Sequence, residues 1–175
     1  MTLGASPLPV VRLATAADDA PVGALLVRAF VERYAQKLPD VVVTQGRKEH
    51  LQDVSAKRAA ARVWVAELDA QVVGTVALFP PGAPGSEAWL PGAADLRHLA
   101  VEPRLHGRGL SRLLLDAAEA EARSLGATAI CLHVRREATG IRRLYEARGY
   151  RLQPAGDLDR RPEVYLSALA LDLPR

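Results

Sequence analysis

DLRHLAVEPRLHGRGLSRLLLD, residues 95–116, is the stretch on which the fold turns. Leu96–Val101 has the apolar content of a buried strand. From Leu110 onward, Leu110, Leu113, Leu114, Ala117, Ala118 and Leu125 recur at helical spacing as one apolar face. Between strand and helix lies Glu-Pro-Arg-Leu-His-Gly-Arg-Gly, which is short and basic. A strand, a glycine turn and a helix N-terminus together make an anion site, because the first N–H groups of a helix have no partner within it. Pro103–Leu115 carries Arg104, His106, Arg108 and Arg112 and no acid, so a phosphate-bearing ligand is expected there.

Downstream, Gly126 ends the helix and Thr128–Val134 reads as a second buried strand. The three pieces make a βαβ unit with parallel strands. A helix over Thr139–Arg148 follows, with Ile141, Leu144 and Tyr145 on one face and Gly149 at its end. Tyr150–Gln153 and Glu163–Leu171 are the last strands, joined by Pro154–Pro162. Upstream, Arg62–Leu68 and Gln71–Phe79 form a hairpin about Asp69-Ala70, with Gly74 marking a bulge. The loop Pro80–Ala94 holds Glu87 and Trp89, and Trp89 reads as packed on the body rather than covering a substrate. Val10–Thr15 is the first strand. A helix runs from Asp18 to about Tyr34 on Val22, Leu25, Leu26, Ala29 and Phe30. Leu38–Gly46 is ambiguous, and Arg47–Ala60 is a second helix with Leu51, Val54 and Ala59 inward. The order βααβββαβαββ gives a single α/β domain over residues 1–175 with a mixed central sheet.

Composition narrows the function. Hydrophobic content of 49%, charged content of 25% and a net charge of +3 are ordinary for a globular chain. All 23 basic residues but Lys37, Lys48 and Lys57 are Arg, which reads as solvated surface. No aromatic residues are interleaved with the basic turn, so nucleic-acid binding ranks last. Cys131, the one cysteine, sits in an apolar run and reads as a buried inert thiol; neither a disulfide nor a metal site is expected. The first residues lack a secretory pattern, and no run approaches ~20 apolar residues, so no membrane association is expected and the cytoplasm is the expected compartment.

Three glycine motifs compete for the turn. A P-loop requires Gly-Lys-Ser or Gly-Lys-Thr, which is absent. A dinucleotide fingerprint fits Gly107 and Gly109 but meets Arg112 where its third glycine belongs. The third is an acyl-CoA turn. Leu99-Ala100-Val101-Glu102-Pro103 followed by His106-Gly107-Arg108-Gly109-Leu110-Ser111-Arg112 resembles the coenzyme motif [Q/R]-x-x-G-x-[G/A] of the GNAT superfamily of N-acetyltransferases. Gly109 matches its central glycine; His106 stands where Gln or Arg is usual, and Ser111 where Gly or Ala is usual. Leu144-Tyr145-Glu146-Ala147-Arg148-Gly149-Tyr150 resembles the family's L-Y-x-x-x-G-[F/Y] segment, although Ala138 replaces the Asn frequent before it.

The resemblance covers nearly the whole chain and implies acetyl transfer from acetyl-CoA to a primary amine, small-molecule or peptide, by direct attack in a ternary complex. It implies that the strands Leu96–Val101 and Thr128–Val134 splay to admit pantetheine. It divides the chain into an acceptor side and hairpin (about 1–94), a coenzyme core (95–150) and a C-terminal hairpin (151–175), in a monomer or homodimer. The coenzyme contacts implied are Leu99, Ala100, Val101, His106, Gly107, Arg108, Gly109, Leu110, Ser111 and Arg112, with pyrophosphate on N–H groups from about Leu105 to Ser111 and an oxyanion donor near Val101. Tyr145 is the candidate acid, since a phenol with a pKa of ~10 is protonated at neutrality. His98 is the candidate base; strand alternation sets it opposite Arg97 and Leu99. Glu67, Asp95, Glu102 and His133 are rivals. Glu32, Asp40, Glu87 and Asp157 are candidates for attracting a cationic acceptor. The departures at His106, Ser111 and Ala138 support an alternative, a non-catalytic acyl-CoA sensor.

Overall fold

The computed structural model describes residues 8–37 and 43–174. Asp40 and most of the ambiguous Leu38–Gly46 stretch lie outside them. Eight strands form one sheet: β1 (Val10–Leu13), β2 (Arg62–Leu68), β3 (Gln71–Phe79), β4 (Ala94–Val101), β5 (Ala129–Arg135), β6 (Arg151–Leu152), β7 (Leu158–Arg160) and β8 (Val164–Asp172). Their order is β1-β2-β3-β4-β5-β8-β6, with β7 also paired to β8. Every pairing is antiparallel except β4 with β5. The expected α/β class and mixed sheet hold. The Pro154–Pro162 connection is more ordered than expected, because β7 forms a hairpin with β8 inside it.

Helices cover both faces. Helix α1 (Asp19–Val27), a π turn (Arg28–Glu32) and α2 (Arg33–Lys37) occupy the segment expected as one helix. The next expected helix is two, α3 (Gln45–Gln52) and α4 (Val54–Ala60). Asp53 breaks it by ending α3 and accepting a hydrogen bond from Ala56 N–H as the cap of α4. Leu51 and Val54 are buried there, but Ala59 is exposed and Lys57 is buried in its place. Val22, Leu25 and Leu26 of α1 pack with Leu51, Val54, Val65 and Ala100. On the other face lies α5 (Leu110–Ser124), whose buried stripe is Leu110, Leu114, Leu115, Ala118 and Ala122. Leu113 and Leu125, expected inward, are exposed at the flank of this stripe, which advances by four residues per turn and so carries residue 113 off the sheet. Helix α6 (Thr139–Ala147) completes this side.

Two irregularities shape the sheet. Ala66 pairs with Gly74 but Glu67 with Val72, so the extra residue on β3 is Val73, next to the expected Gly74. Gly74 itself lets α5 approach: a Cβ there would stand 3.0 Å from Leu114 Cδ1. The second irregularity was not legible. Thr75 pairs with Ala100 but Ala77 with Arg97, so His98 and Leu99 together oppose Val76. His98 has φ +57°. This is a bulge, and it breaks the alternation expected of His98 relative to its neighbours. β4 and β5 pair only over residues 94–96 and 130–132. Beyond Leu96 the two strands part.

Candidate functional site

The site begins where β4 and β5 separate. A cavity of about 790 Å³ opens there, lined by Leu99, Ala100 and Val101 of β4, by the glycine turn, by Phe30, Arg33 and Tyr34, and by residues 137–141 and Leu144 around the start of α6. Its size is that of ordinary small-molecule sites, ~300–1,000 Å³.

In the turn, Gly107 and Gly109 have φ +80° and +78°. Gly109 is the N-cap of α5 in the left-handed region, where a Cβ is strained. This conformation bends the chain sharply enough to begin a helix directly under the cavity. Backbone bonding narrows the expected cradle. The N–H groups of Leu105, His106 and Arg108 donate to Glu102, Pro103 and Leu105 carbonyls within the turn. Among the described residues, those of Gly107, Gly109, Leu110, Ser111 and Arg112 have no backbone partner. These five residues also line the cavity. Arg108 is exposed and lies outside the lining.

His106 ties the turn to the strand, with Nε2 3.1 Å from the Val101 carbonyl. The Arg33 guanidinium stands 3.2 Å from the same ring and brings a cation to the cavity wall. No sequence signal marked Arg33, since its contact depends on how the helices after β1 cross the turn. Phe30 and Tyr34, stacked at 6.2 Å, were also missed as wall residues, and their i,i+4 spacing is the signal that could have found them.

Tyr145 lies behind the cavity wall rather than in the lining, 4% exposed and edge-on to Tyr150 at 5.4 Å. No group among the described residues hydrogen-bonds its hydroxyl. Burial pushes its pKa well above the ordinary phenol value, with Tyr34 and Glu119 adding to the effect. The neighbouring Tyr150 is committed: its hydroxyl donates to Glu119 Oε1 at 3.3 Å, and Arg148 donates to both Glu119 oxygens at 2.8 Å.

His98 sits on the bulge behind Phe30, at 6.0 Å, and faces His50 at 6.2 Å. Its Nδ1 is buried without a hydrogen-bond partner. Burial, then Lys57, Arg47 and Arg97, push its pKa well below the ordinary histidine value, so the ring is neutral at pH 7. Among the rivals, Asp95 is fully buried and accepts from Arg97 and Glu87 N–H. Glu67 is paired to Arg12, Glu102 to Arg28, and His133 Nε2 contacts the Gly156 carbonyl. Glu87 is paired to Arg160, and Asp157 accepts from Tyr165 and Ala168 N–H. Trp89 packs on the body, its ring over Gly156 and 5.1 Å from His133.

The comparisons agree with this architecture. A GNAT family acetyltransferase from Staphylococcus aureus Mu50 superposes with a TM-score of 0.74 at 13% identity, covering 95% of this chain and 100% of that one. A GNAT family acetyltransferase from Elizabethkingia anophelis, with acetyl-CoA bound, gives 0.64 at 15% identity over 94% and 98%. The Salmonella typhimurium yncA protein, with its cofactor acetyl-CoA, gives 0.67 at 19% identity over 96% and 95%. At these identities the likeness is one of fold. No curated protein matches the chain. Among the described residues no helix is long and apolar enough to cross a membrane. The sequence profile of the acetyltransferase (GNAT) family matches residues 18–150, and with more than half of its length matched the chain belongs to that family.

Proposed function

We propose that this protein is an N-acetyltransferase that moves the acetyl group of acetyl-CoA to a primary amine by direct attack in a ternary complex. The observation that carries the reading is the row of unpaired N–H groups at Gly107, Gly109 and Leu110–Arg112, facing a cavity that begins where β4 leaves β5. Such a row suits a pyrophosphate, and the unpartnered edge of β4 at Leu99–Val101 suits the amide-bearing pantetheine arm. Arg33 and Arg112 add positive charge to the same wall. Residues 95–150 thus serve the coenzyme and the preceding segment the acceptor, in a cytoplasmic monomer or homodimer.

The chemistry exchanges a C–S bond for a C–N bond: the nitrogen loses a proton and the departing sulfur gains one. In this reading Tyr145 supplies the sulfur's proton: its hydroxyl is protonated at neutrality and has no competing partner among the described residues, while burial, which disfavours the phenolate left behind, is a cost the transfer has to meet. A backbone N–H near Val101 takes the charge that develops on the carbonyl oxygen. His98 is unprotonated at neutrality but a weak base. It therefore takes the amine's proton only as the C–N bond forms, when that proton has become acidic.

The test has two steps. Acetyl-CoA at about 100 times its Kd adds roughly 2.7 kcal/mol to stability, seen as a Tm rise of several degrees. Thiol release is then followed over a panel of primary amines. Binding with turnover supports the transferase; tight binding with no turnover on any amine identifies the non-catalytic sensor; no thermal shift at millimolar acetyl-CoA removes both.

A further inference from the structure

The acceptor side of the cavity has an unbalanced charge account. Lys57 is 6% exposed, and its Nζ is buried with no hydrogen-bond partner among the described residues. Arg47, one turn into α3, has no ion pair or side-chain hydrogen bond among the described residues, and it is the charge acting most strongly on Lys57. Both act on His98, whose own Nδ1 is buried and unpartnered. A buried ammonium without a partner is costly. Repulsion between two cations adds to that cost.

The acids nearby are largely engaged, with one oxygen, Asp95 Oδ1, buried without a partner among the described residues. Asp95 Oδ2 accepts from Arg97 Nε at 2.7 Å and from Glu87 N–H at 2.7 Å. Glu87 pairs with Arg160 at 2.7 Å and with Arg97 at 3.7 Å. Asp53 caps α4 through Ala56 N–H at 3.1 Å. After this accounting Arg97 and Arg160 are compensated, while Arg47 and Lys57 are not. Of the carboxylates expected to draw a cationic acceptor, Glu87 is paired to Arg160, Asp157 accepts from the Tyr165 hydroxyl and Ala168 N–H, Asp40 lies outside the described residues, and Glu32 stands exposed on the π turn, away from the buried Lys57 Nζ. The described surroundings of His98 favour negative charge.

The position matters as much as the sign. His98 touches Phe30, Phe30 lines the coenzyme cavity, and Leu99 of that lining is the next residue in the chain. His98, whose charge environment Lys57 and Arg47 dominate, thus adjoins a residue of the cavity wall. On the outer side His50 is exposed, and its ring leans on His98 at 6.2 Å.

Building on the transferase reading, we infer that the acceptor is an amine that also carries an oxyanion, a carboxylate or phosphate-type group, bound by Lys57 and Arg47 between α3, α4 and the β4 bulge. An amino acid is the simplest molecule of this kind: its anion anchors the molecule while its neutral amine faces the thioester. The two cations then act as specificity determinants, and the buried Lys57 is spared the cost of standing unpaired.

The test uses matched acceptors on the whole protein. Thiol release from acetyl-CoA is measured for amino acids and for their carboxamides, with wild type, Lys57→Met and Arg47→Gln. The expected result is a kcat/KM at least tenfold higher for acids than for carboxamides. In Lys57→Met this ratio falls below threefold, with an unchanged KM for acetyl-CoA; in exposed Arg47→Gln it falls part of the way. Carboxamides used as well as acids, or a preference that survives Lys57→Met, overturns the inference and leaves the transferase reading standing. A titration of sulfate into protein saturated with CoA keeps the site testable without turnover. Sulfate binding weakened at least tenfold by Lys57→Met supports the anion site even if no amine is acetylated, and equal binding by both proteins overturns it.

Discussion

Replacing Gly109 by alanine separates the two things the glycine turn does. At φ +78° and ψ +7° the residue is left-handed. An alanine there costs about 1–2 kcal/mol of backbone strain. A Cβ at this position meets no protein atom within 4 Å, so strain is the whole folding penalty and no repacking is needed. For a chain of this size that is a fall in Tm of about 2–8 °C. The methyl projects from a residue that lines the cavity, beside the unpaired N–H groups of Gly107 and Leu110. If it holds a phosphate oxygen away from one of them, one charge-assisted hydrogen bond is lost. That is about 1.5–3 kcal/mol, or roughly 10- to 150-fold in Kd. Gly126→Ala is the control: it has φ +69°, open space around its Cβ and no place in the lining. Thermal unfolding and calorimetric titration with acetyl-CoA read both quantities. The expectation is a similar Tm loss in both variants and a weakened Kd in Gly109→Ala alone. Wild-type acetyl-CoA affinity in Gly109→Ala, or an equal loss in Gly126→Ala, refutes the assignment of this turn to the pyrophosphate.

Four other outcomes are expected. Tyr145→Phe should lower kcat by about 10²–10⁴-fold while Tm and acetyl-CoA affinity stay near wild type; a kcat within threefold of wild type would remove Tyr145 as the acid. Arg33→Gln should weaken acetyl-CoA binding by about 3- to 10-fold and reduce its salt dependence, and an unchanged Kd at low salt would return Arg33 to a purely structural contact with His106. Gly156→Ala would bring a Cβ within 2.3 Å of the Trp89 ring, so about 1–3 kcal/mol of stability should go together with a shift in tryptophan emission; an unchanged denaturation midpoint counts against this packing. Asp18, hydrogen-bonded by Arg12 and by Thr15 N–H, has its pKa held down at about 2. It therefore adds up to about 2 kcal/mol that is present above pH ~4 and lost as pH falls toward 2. Asp18→Asn should flatten that acid limb, and an equally steep limb in the variant would place the titration elsewhere.

Residues whose role is set by local chemistry were legible in the sequence. The left-handed turn at Gly107 and Gly109, the helix starting at Leu110 and the strands on either side of it each carry their own signal in composition and spacing. The features missed depend on partners distant in sequence. No histidine announces a bulge; His98 is left-handed because β4 must lie in register with β3 over residues 95–97 and again over 100–101 with one residue too many between. The inward face of α5 was misjudged at Leu113 and Leu125 because apolar spacing marks a stripe without saying where the sheet ends. Apolar spacing puts Leu51, Val54 and Ala59 inward and says nothing of Lys57, which only the packing of α3 and α4 makes buried.

One of these missed features, the bulge at His98, bears on function. A sheet whose β4 and β5 stayed paired to their ends would have no free strand edge and no room for a ligand between them. The bulge at His98 begins two residues after the last β4–β5 pair, at Leu96 and Leu132. It turns β4 away while the antiparallel pairing to β3 continues on its other side. The same bulge carries the His98 ring toward Phe30, His50 and the two unpaired cations. In the proposed reading, one extra residue in one strand helps open the cavity assigned to the coenzyme and places His98 beside it. Deleting His98 should restore regular register against β3 and extend the β4–β5 pairing, abolishing acetyl-CoA binding while the fold is retained. A deletion variant that folds and still binds acetyl-CoA would show that the strands part for another reason, the most direct being the bulk of Phe30 and Tyr34 wedged over the gap.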